Sequence, residues 1–142
     1  MTVRVLVMDD EMQIAELIQF WLSRCGYEVA VTYDGEAAIA TFANARTQQK
    51  PFDVVILDLI VPKGLGGQAT LGRLRELDPE VRAIVCSGYA HDPVMALYEA
   101  YGFDGIVPKP FKLTDLSDEV ARVASLPAGR HAGRSSDVAP PE

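Results

Sequence analysis

The sequence has little of what marks several classes of protein. It contains only two cysteines, Cys25 and Cys86, without a CxxC pair, which argues against a zinc site. It has no run of lysines or arginines, and its formal charge is -7, so a nucleic-acid partner is not expected. No apolar run reaches the roughly 20 residues that cross a membrane, and no signal peptide precedes the first predicted strand. We therefore expect a cytoplasmic protein with no membrane partner, in which both cysteines are buried, reduced thiols.

Short apolar runs alternate with segments of helical periodicity along most of the chain. Several of these runs are apolar almost throughout, as strands buried on both faces must be. Right-handed crossovers between them give a doubly wound α/β fold, a five-stranded parallel sheet with helices on both faces. The fourth helix is predicted to begin at Asp92-Pro93, to continue through Tyr101 and to end at Gly102. The predicted strands cover 3–8, 28–32, 52–57, 82–86 and 105–107.

The composition changes near the C-terminus. After Leu126 the residues are mainly Pro, Ala, Gly, Arg and Ser, without apolar periodicity. Such a segment cannot bury enough apolar surface to offset the entropy of ordering it. We therefore predict one domain over residues 1–126 and a disordered tail over residues 127–142.

Polar side chains stand where four of the predicted strands end. Asp9 and Asp10 follow the first strand and Asp58 follows the third. Ser87 closes the fourth strand and Lys109 comes after the fifth. In open parallel sheets, ligands bind outside the carboxyl ends of the strands, so these side chains are expected to meet at one edge.

Each of these residues alone has a simpler explanation. An acidic residue before a helix is usually an N-cap, a serine after a strand usually forms a turn, and a loop lysine is usually solvated. Their coincidence at successive strand ends favours a joint role. Three neighbouring carboxylates repel one another unless a cation joins them, and Mg²⁺ suits an incomplete cage of oxygen ligands. The hydroxyl of Ser87 and the ammonium of Lys109 suit the oxygens of a phosphoryl group carried on Asp58.

Four segments together resemble the receiver domain of two-component response regulators. The resemblance covers roughly residues 3–125, and is greatest to receivers at the C-terminus of hybrid sensor histidine kinases. Whether the chain is free-standing or a module of such a kinase stays open. The segments are Met8-Asp9-Asp10-Glu11, Ile56-Leu57-Asp58-Leu59, Ser87-Gly88-Tyr89 and Lys109-Pro110-Phe111.

The resemblance implies a flavodoxin-like receiver fold and a metal-assisted phosphoryl transfer. Asp58 would accept a phosphoryl group from the phosphohistidine of a sensor histidine kinase or histidine phosphotransfer protein. Asp10, Asp58 and the backbone carbonyl of Ile60 would bind Mg²⁺, with Mn²⁺ as a substitute and Asp9 acting mainly through water. The domain would catalyse only its own phosphorylation and dephosphorylation.

The remaining site residues would read the phosphorylated state. Lys109 would pair with the carboxylate or phosphoryl group, and Ser87 would move to bond a phosphoryl oxygen. Gly88 would leave the approach to Asp58 open, and a cis bond at Pro110 would aim Lys109 inward. Output would come through protein contacts.

Two features depart from the family pattern. Ile106 stands where the family usually has Tyr or Phe, so switching through an aromatic rotamer is in doubt, and Tyr89 is the candidate mobile ring in its place. The loop Gly64-Leu65-Gly66-Gly67 is richer in glycine than the common form, and we expect it to be mobile.

Other functions explain fewer of these residues. A degenerate receiver that binds partners without phosphorylation is the main alternative, although the intact acidic set argues against it. A phosphatase of the haloacid-dehalogenase type would have an Asp-x-Asp motif after the first strand, where this chain reads Asp9-Asp10-Glu11. A nucleotide-binding enzyme or a flavodoxin-like electron carrier would need a phosphate-binding loop at that place, and the sequence has none there.

Overall fold

The computed structural model describes residues 2–62 and 64–130, which form five strands and five helices in strict alternation. All paired strands are parallel, in the order β2-β1-β3-β4-β5, which confirms the predicted doubly wound sheet. The elements are β1 Arg4–Met8, α1 Met12–Arg24, β2 Glu28–Thr32, α2 Gly35–Thr47, β3 Val54–Asp58, α3 Gly67–Leu77, β4 Arg82–Ser87, α4 Pro93–Ala96, β5 Gly105–Pro108 and α5 Leu113–Ala124.

The core has two layers, one on each face of the sheet. Successive strand side chains point to opposite faces, so Leu6 joins one layer while Val5 and Val7 join the other. Phe42 of α2 packs in the layer that contains Leu6. Ile18 of α1 packs in the layer that contains Val5. Because both faces are covered, the central strands need the continuous apolar runs seen in the sequence.

Local signals define several helix ends. The side chain of Asp34 accepts a hydrogen bond from the N–H of Ala37 at 2.7 Å and caps α2. Asp92 accepts from the N–H of Val94 at 2.9 Å, and Pro93 occupies the first position of α4. Gly26, with φ of 99°, follows the last turn of α1, where a left-handed residue is needed.

The predicted extent of the fourth helix is wrong. Helix α4 ends at Ala96, because Leu97 adopts φ of -125° and ψ of 40° and breaks the helical path. Beyond it the backbone hydrogen bonds vary in span: the N–H of Ala100 donates to the carbonyl of Leu97 at 2.9 Å, and the N–H of Tyr101 donates to the carbonyls of Leu97 at 3.3 Å and Tyr98 at 3.2 Å. Only Val94 and Met95 are fully buried here, and Leu97 is 48% exposed, so no continuous apolar face holds a longer helix on the sheet.

The two cysteines differ in environment. Cys86 is buried in β4, as predicted, whereas Cys25 is exposed, so its predicted burial is wrong. Cys25 is the capping residue of α1, where the chain turns from the helix towards β2. Helix α1 ends at Arg24, one residue before Cys25, and its buried residues are Ala15, Ile18 and Leu22.

The C-terminal part of the described chain contacts the domain. The guanidinium of Arg130 lies 2.9 Å from Oδ1 of Asp104 and 3.6 Å from Oε2 of Glu80. Residues 131–142, most of the predicted tail, lie outside the described residues, and the boundary at residue 126 stays a prediction. Among the described helices, none combines the length and the apolar character needed to cross a membrane.

Candidate functional site

The sheet topology brings the predicted polar residues to one edge. Asp9 follows the last residue of β1, Asp58 ends β3 and Ser87 ends β4. Lys109 follows Pro108, which ends β5 and is in register with Ser87. The N–H of Lys109 donates to the carbonyl of Ser87 at 2.8 Å, so the ends of β4 and β5 are tied together.

Three carboxylates form the floor of the site. One oxygen from each of Asp9, Asp10 and Asp58 lies within 4.8 Å of the other two. Asp9 and Asp58 are buried, at 1% and 5% exposure, and Asp10 is half-buried. Oδ1 of Asp9 accepts a hydrogen bond from the N–H of Glu11 at 2.9 Å, which orients that carboxylate. A cluster of carboxylate oxygens of this kind has the chemistry that a hard divalent cation requires.

The ammonium of Lys109 is the cation that the structure provides for these carboxylates. Its Nζ lies 2.8 Å from Oδ2 of Asp9, 3.3 Å from Oε1 of Glu11 and 3.7 Å from Oδ2 of Asp58. The Lys109–Pro110 peptide bond is cis, in agreement with the sequence prediction. Burial disfavours the charged ammonium, but the hydrogen bond to Asp9 and the charge of Asp58 outweigh it and raise the pKa of Lys109.

One lysine does not neutralise the acidic cluster. Burial, and then the negative charge of Asp9, raise the pKa of Asp58 from 3.8 to about 7, although Lys109 opposes the shift. Burial raises the pKa of the neighbouring Cys86 thiol to about 12, so this thiol stays protonated. The site therefore carries excess negative charge that a further cation would relieve.

Ser87 and Gly88 lie beside this cluster. The Ser87 hydroxyl oxygen accepts a hydrogen bond from the N–H of Tyr89 at 3.1 Å, and Ser87 is buried. A Cβ added at Gly88 would have, among the described residues, its nearest neighbour in Cβ of Lys109 at 3.8 Å. Gly88 therefore lines an open approach, while the Tyr89 side chain is 59% exposed beside it.

A cleft of about 560 Å³ opens above the carboxylates. Its floor is acidic and its walls are largely apolar, contributed by α1 and by the loops after β3, β4 and β5. Helix α1 contributes Ile14 and the exposed Leu17 to this cleft, and neither was predicted as a site residue. The lining residues are Asp10, Glu11, Ile14, Leu17, Asp58, Ile60, Pro62, Gly88, Tyr89, Lys109, Pro110 and Phe111.

Ile106 and Glu11 make contacts that the sequence did not predict. Ile106, predicted as a switch position, lines a separate cavity of about 200 Å³ with Phe111, and its N–H donates to Oε2 of Glu119 at 2.8 Å. Glu11 had no predicted role, yet its carboxylate contacts Lys109. Its position directly after Asp9 and Asp10 is the sequence feature that could have indicated this contact.

The family model and the curated relatives that match this chain indicate the same family. The family model described as the response regulator receiver domain matches residues 5–121. The transcriptional regulatory protein TrcR of Mycobacterium tuberculosis is 34% identical over 126 residues, which are 87% of this chain and 45% of that protein. The response regulator MprA of Mycobacterium sp. (strain KMS) is 35% identical over 129 residues, or 89% of this chain and 51% of that protein. The chain thus spans about half the length of these curated relatives.

Solved structures agree in fold. The chemotaxis protein CheY4 of Vibrio cholerae superposes with a TM-score of 0.75 at 26% identity, covering 87% of this chain and 99% of that one. A CheY-like receiver domain protein of Methanospirillum hungatei JF-1 gives a TM-score of 0.77 at 23% identity, covering 87% and 94%. A phosphoryl-accepting signalling role fits the acidic site, and nothing in it supports a degenerate receiver. The chain belongs to the receiver-domain family of two-component response regulators.

Proposed function

We propose that Asp58 accepts a phosphoryl group from a phosphohistidine on a sensor histidine kinase or a histidine phosphotransfer protein. The observation that carries this proposal is the position of the Lys109 ammonium, 3.7 Å from Asp58 and 2.8 Å from Asp9, at the base of an open cleft. A carboxylate held at the base of an open cleft beside a fixed cation can act as a nucleophile, and the cation offsets part of the negative charge of the product.

The acidic cluster fits Mg²⁺. Asp10, Asp58 and the backbone carbonyl of Ile60 would hold the ion, with Asp9 acting through water, and Mn²⁺ would substitute. The fit is supported by the carboxylate oxygens within 4.8 Å of one another and by the raised pKa of Asp58, which burial and then the charge of Asp9 raise although Lys109 opposes the shift. When bound, the ion would supply positive charge to the carboxylates and to the phosphoryl oxygens.

The transfer exchanges one bond for another. A carboxylate oxygen of Asp58 forms a bond to phosphorus while the bond between phosphorus and the histidine nitrogen breaks. That nitrogen keeps the electron pair of the broken bond, and with the other ring nitrogen of the histidine protonated, neutral imidazole leaves. Lys109 remains beside the site and stabilises the charge that develops on the phosphoryl oxygens. Beyond this reaction and the hydrolysis of its own aspartyl phosphate, the domain would catalyse nothing.

Ser87 is positioned to detect the product. Its hydroxyl now accepts from the N–H of Tyr89, and its carbonyl accepts from the N–H of Lys109. Donation from the hydroxyl to a phosphoryl oxygen would draw Ser87 towards Asp58 and move the loop that carries Gly88 and Tyr89. The phosphorylated state would then be read through contacts with a protein target, in the cytoplasm, without nucleic acid or membrane as partner.

Intact-mass spectrometry after incubation with acetyl phosphate and Mg²⁺ tests this function. We expect one added phosphoryl group on the wild type and none on Asp58→Asn or without the metal. Asp53→Asn is the matched control, because Asp53 directly precedes β3, at the end remote from Asp58, and accepts the N–H of Arg4 at 2.8 Å. An adduct on Asp58→Asn equal to that on the wild type would contradict the assignment. Absence of any adduct, also with a phosphorylated histidine kinase, would favour a phosphorylation-independent binding module.

A further inference from the structure

Gly67 is in unusually close contact with the backbone of Asp58. It is buried and is the first residue of α3. A Cβ built on it would lie 2.6 Å from the carbonyl oxygen of Asp58, 3.1 Å from its carbonyl carbon and 3.2 Å from Cα of Leu59. These atoms are backbone and cannot rotate away as the end of a side chain can. Any residue other than glycine would therefore require the start of α3 or the peptide of Asp58 to move.

The contact involves two residues at the start of α3, Gly66 and Gly67, and two where β3 ends, Asp58 and Leu59. The N–H of Gly67 donates to the carbonyl of Leu59 at 3.0 Å, which draws the two segments together. A Cβ on Gly66 would lie 2.6 Å from that carbonyl oxygen. Gly66 and Gly67 therefore let α3 pack directly against the backbone that follows β3. This is the segment that links Asp58 to the carbonyl of Ile60.

Glycine is not needed throughout this helix. A Cβ added at Gly72, also in α3, would meet no atom of the described residues within 4 Å. The requirement at Gly67 is therefore set by its contact with Asp58 and Leu59. The expected mobility of the glycine-rich loop does not account for it.

We propose that Gly67 is a positioning residue for the phosphoryl-accepting site. Its missing side chain lets α3 begin directly against the peptide of Asp58, and this contact fixes both the carboxylate of Asp58 and the backbone that carries the Ile60 carbonyl. The inference rests on the proposed function, because its consequence is measured as metal binding and phosphorylation. A small displacement of a reacting group is enough to cost a large factor in rate.

The test is Gly67→Ala, compared with two other glycine-to-alanine variants. Gly72→Ala controls for adding a methyl group to α3. Gly105→Ala controls for steric destabilisation, because its Cβ would lie 2.7 Å from both Oε2 of Glu119 and Cγ2 of Val123. Mg²⁺ affinity is measured by calorimetry on folded protein, the phosphorylation rate with acetyl phosphate, and stability by urea unfolding.

We expect Gly67→Ala to weaken Mg²⁺ binding and slow phosphorylation by about 10- to 100-fold, as changes to groups that orient metal ligands do. Gly105→Ala should lose stability and keep wild-type Mg²⁺ affinity, and Gly72→Ala should keep both. If Gly67→Ala binds Mg²⁺ as tightly as the wild type, the inference is wrong and Gly67 is only structural. If the wild type itself binds no Mg²⁺, the proposed metal site fails and the inference fails with it.

Gly66→Ala carries the same test if Gly67→Ala does not fold. Its added Cβ would meet the carbonyl of Leu59, one residue further from the carboxylate. We expect the same direction of change in Mg²⁺ affinity, and wild-type affinity in that variant would overturn the inference.

Discussion

At the scale of single residues, the site is defined by an imbalance of charge. Lys109 contacts two buried carboxylates, and the half-buried Asp10 lies within 4.8 Å of both. Without a divalent cation, these three carboxylates carry more negative charge than the ammonium of Lys109 can offset. This excess negative charge destabilises the folded state and favours cation binding. The charge of Asp58 therefore lowers stability while it serves the proposed function.

This conflict predicts a pH dependence of stability. The pKa of Asp58 is raised from 3.8 to about 7 on folding, so the folded state holds the proton more tightly between these values. The stabilising contribution of protonated Asp58 is complete below pH about 4 and is lost as the pH rises through about 7. We expect Asp58→Asn to remove this loss and to be more stable than the wild type at pH 8.

Urea unfolding in EDTA between pH 4 and pH 8, followed by the fluorescence of Trp21, measures the effect. Asp53→Asn is again the control, since it retains the Asp58 carboxyl. Parallel pH profiles for the wild type and Asp58→Asn would show that the folded carboxyl titrates near its ordinary value.

At the scale of elements, the outer edge of β5 is closed by α5. The N–H of Ile106 donates to Oε2 of Glu119 at 2.8 Å, and Arg122 donates to the carbonyl of Asp104 at 2.8 Å. Glu119 and Arg122 also pair with each other, at 2.7 Å. An edge strand otherwise presents unpaired backbone groups to other chains, and these two side chains pair with the N–H of Ile106 and the carbonyl of Asp104.

Glu119→Ala is predicted to destabilise the domain by about 1–2 kcal/mol, since it removes a charged acceptor from a backbone N–H and unpairs Arg122. Burial alone would raise the pKa of Glu119, but the hydrogen bonds from Arg122 and Ile106 lower it. Its contribution is therefore present above the unfolded pKa and is lost as the pH falls through the lowered folded pKa. Urea unfolding at pH 7 measures the loss, with the exposed neighbour Asp118→Ala as control. Equal losses in the two variants would contradict the account.

The elements differ in how well the sequence predicts them. The strands were predicted within about two residues, because continuous apolar runs have few alternatives in an α/β chain. The length of the fourth helix was predicted wrongly, because the periodic apolar residues from Val94 to Tyr101 do not reveal that Leu97 faces solvent. The proximity of Asp58 and Lys109 could be predicted because their strand ends meet by topology. The proposed role of Gly67 depends on a backbone contact that the sequence did not reveal.

At the scale of the whole molecule, the two ends of the sheet serve different purposes. The carboxyl end holds the acidic site. Near the amino ends of β4 and β5, Asp104 accepts the N–H of Ala83 at 2.9 Å and pairs with Arg75 and Arg130. Arg130 thereby fastens the chain after α5 to the end of the domain remote from the site.

Arg130→Ala is predicted to lower the free energy of unfolding by about 1–2 kcal/mol, because it removes charged hydrogen bonds to the largely buried Asp104. The phosphorylation rate should stay at the wild-type value, since the contact is at the opposite end of the sheet. Urea unfolding and an acetyl phosphate time course check the two parts. The exposed Arg73→Ala serves as control, and a loss no greater than in that variant would show that the contact adds nothing to stability.

The central claim is that the phosphoryl group is carried on Asp58. Borohydride reduces an aspartyl phosphate to homoserine, so treatment of the phosphorylated domain followed by peptide mass spectrometry locates the acceptor. The account predicts homoserine at position 58 alone. Homoserine at position 9 or 10, with position 58 unchanged, would contradict it and transfer the role of acceptor to the carboxylates assigned here to the metal.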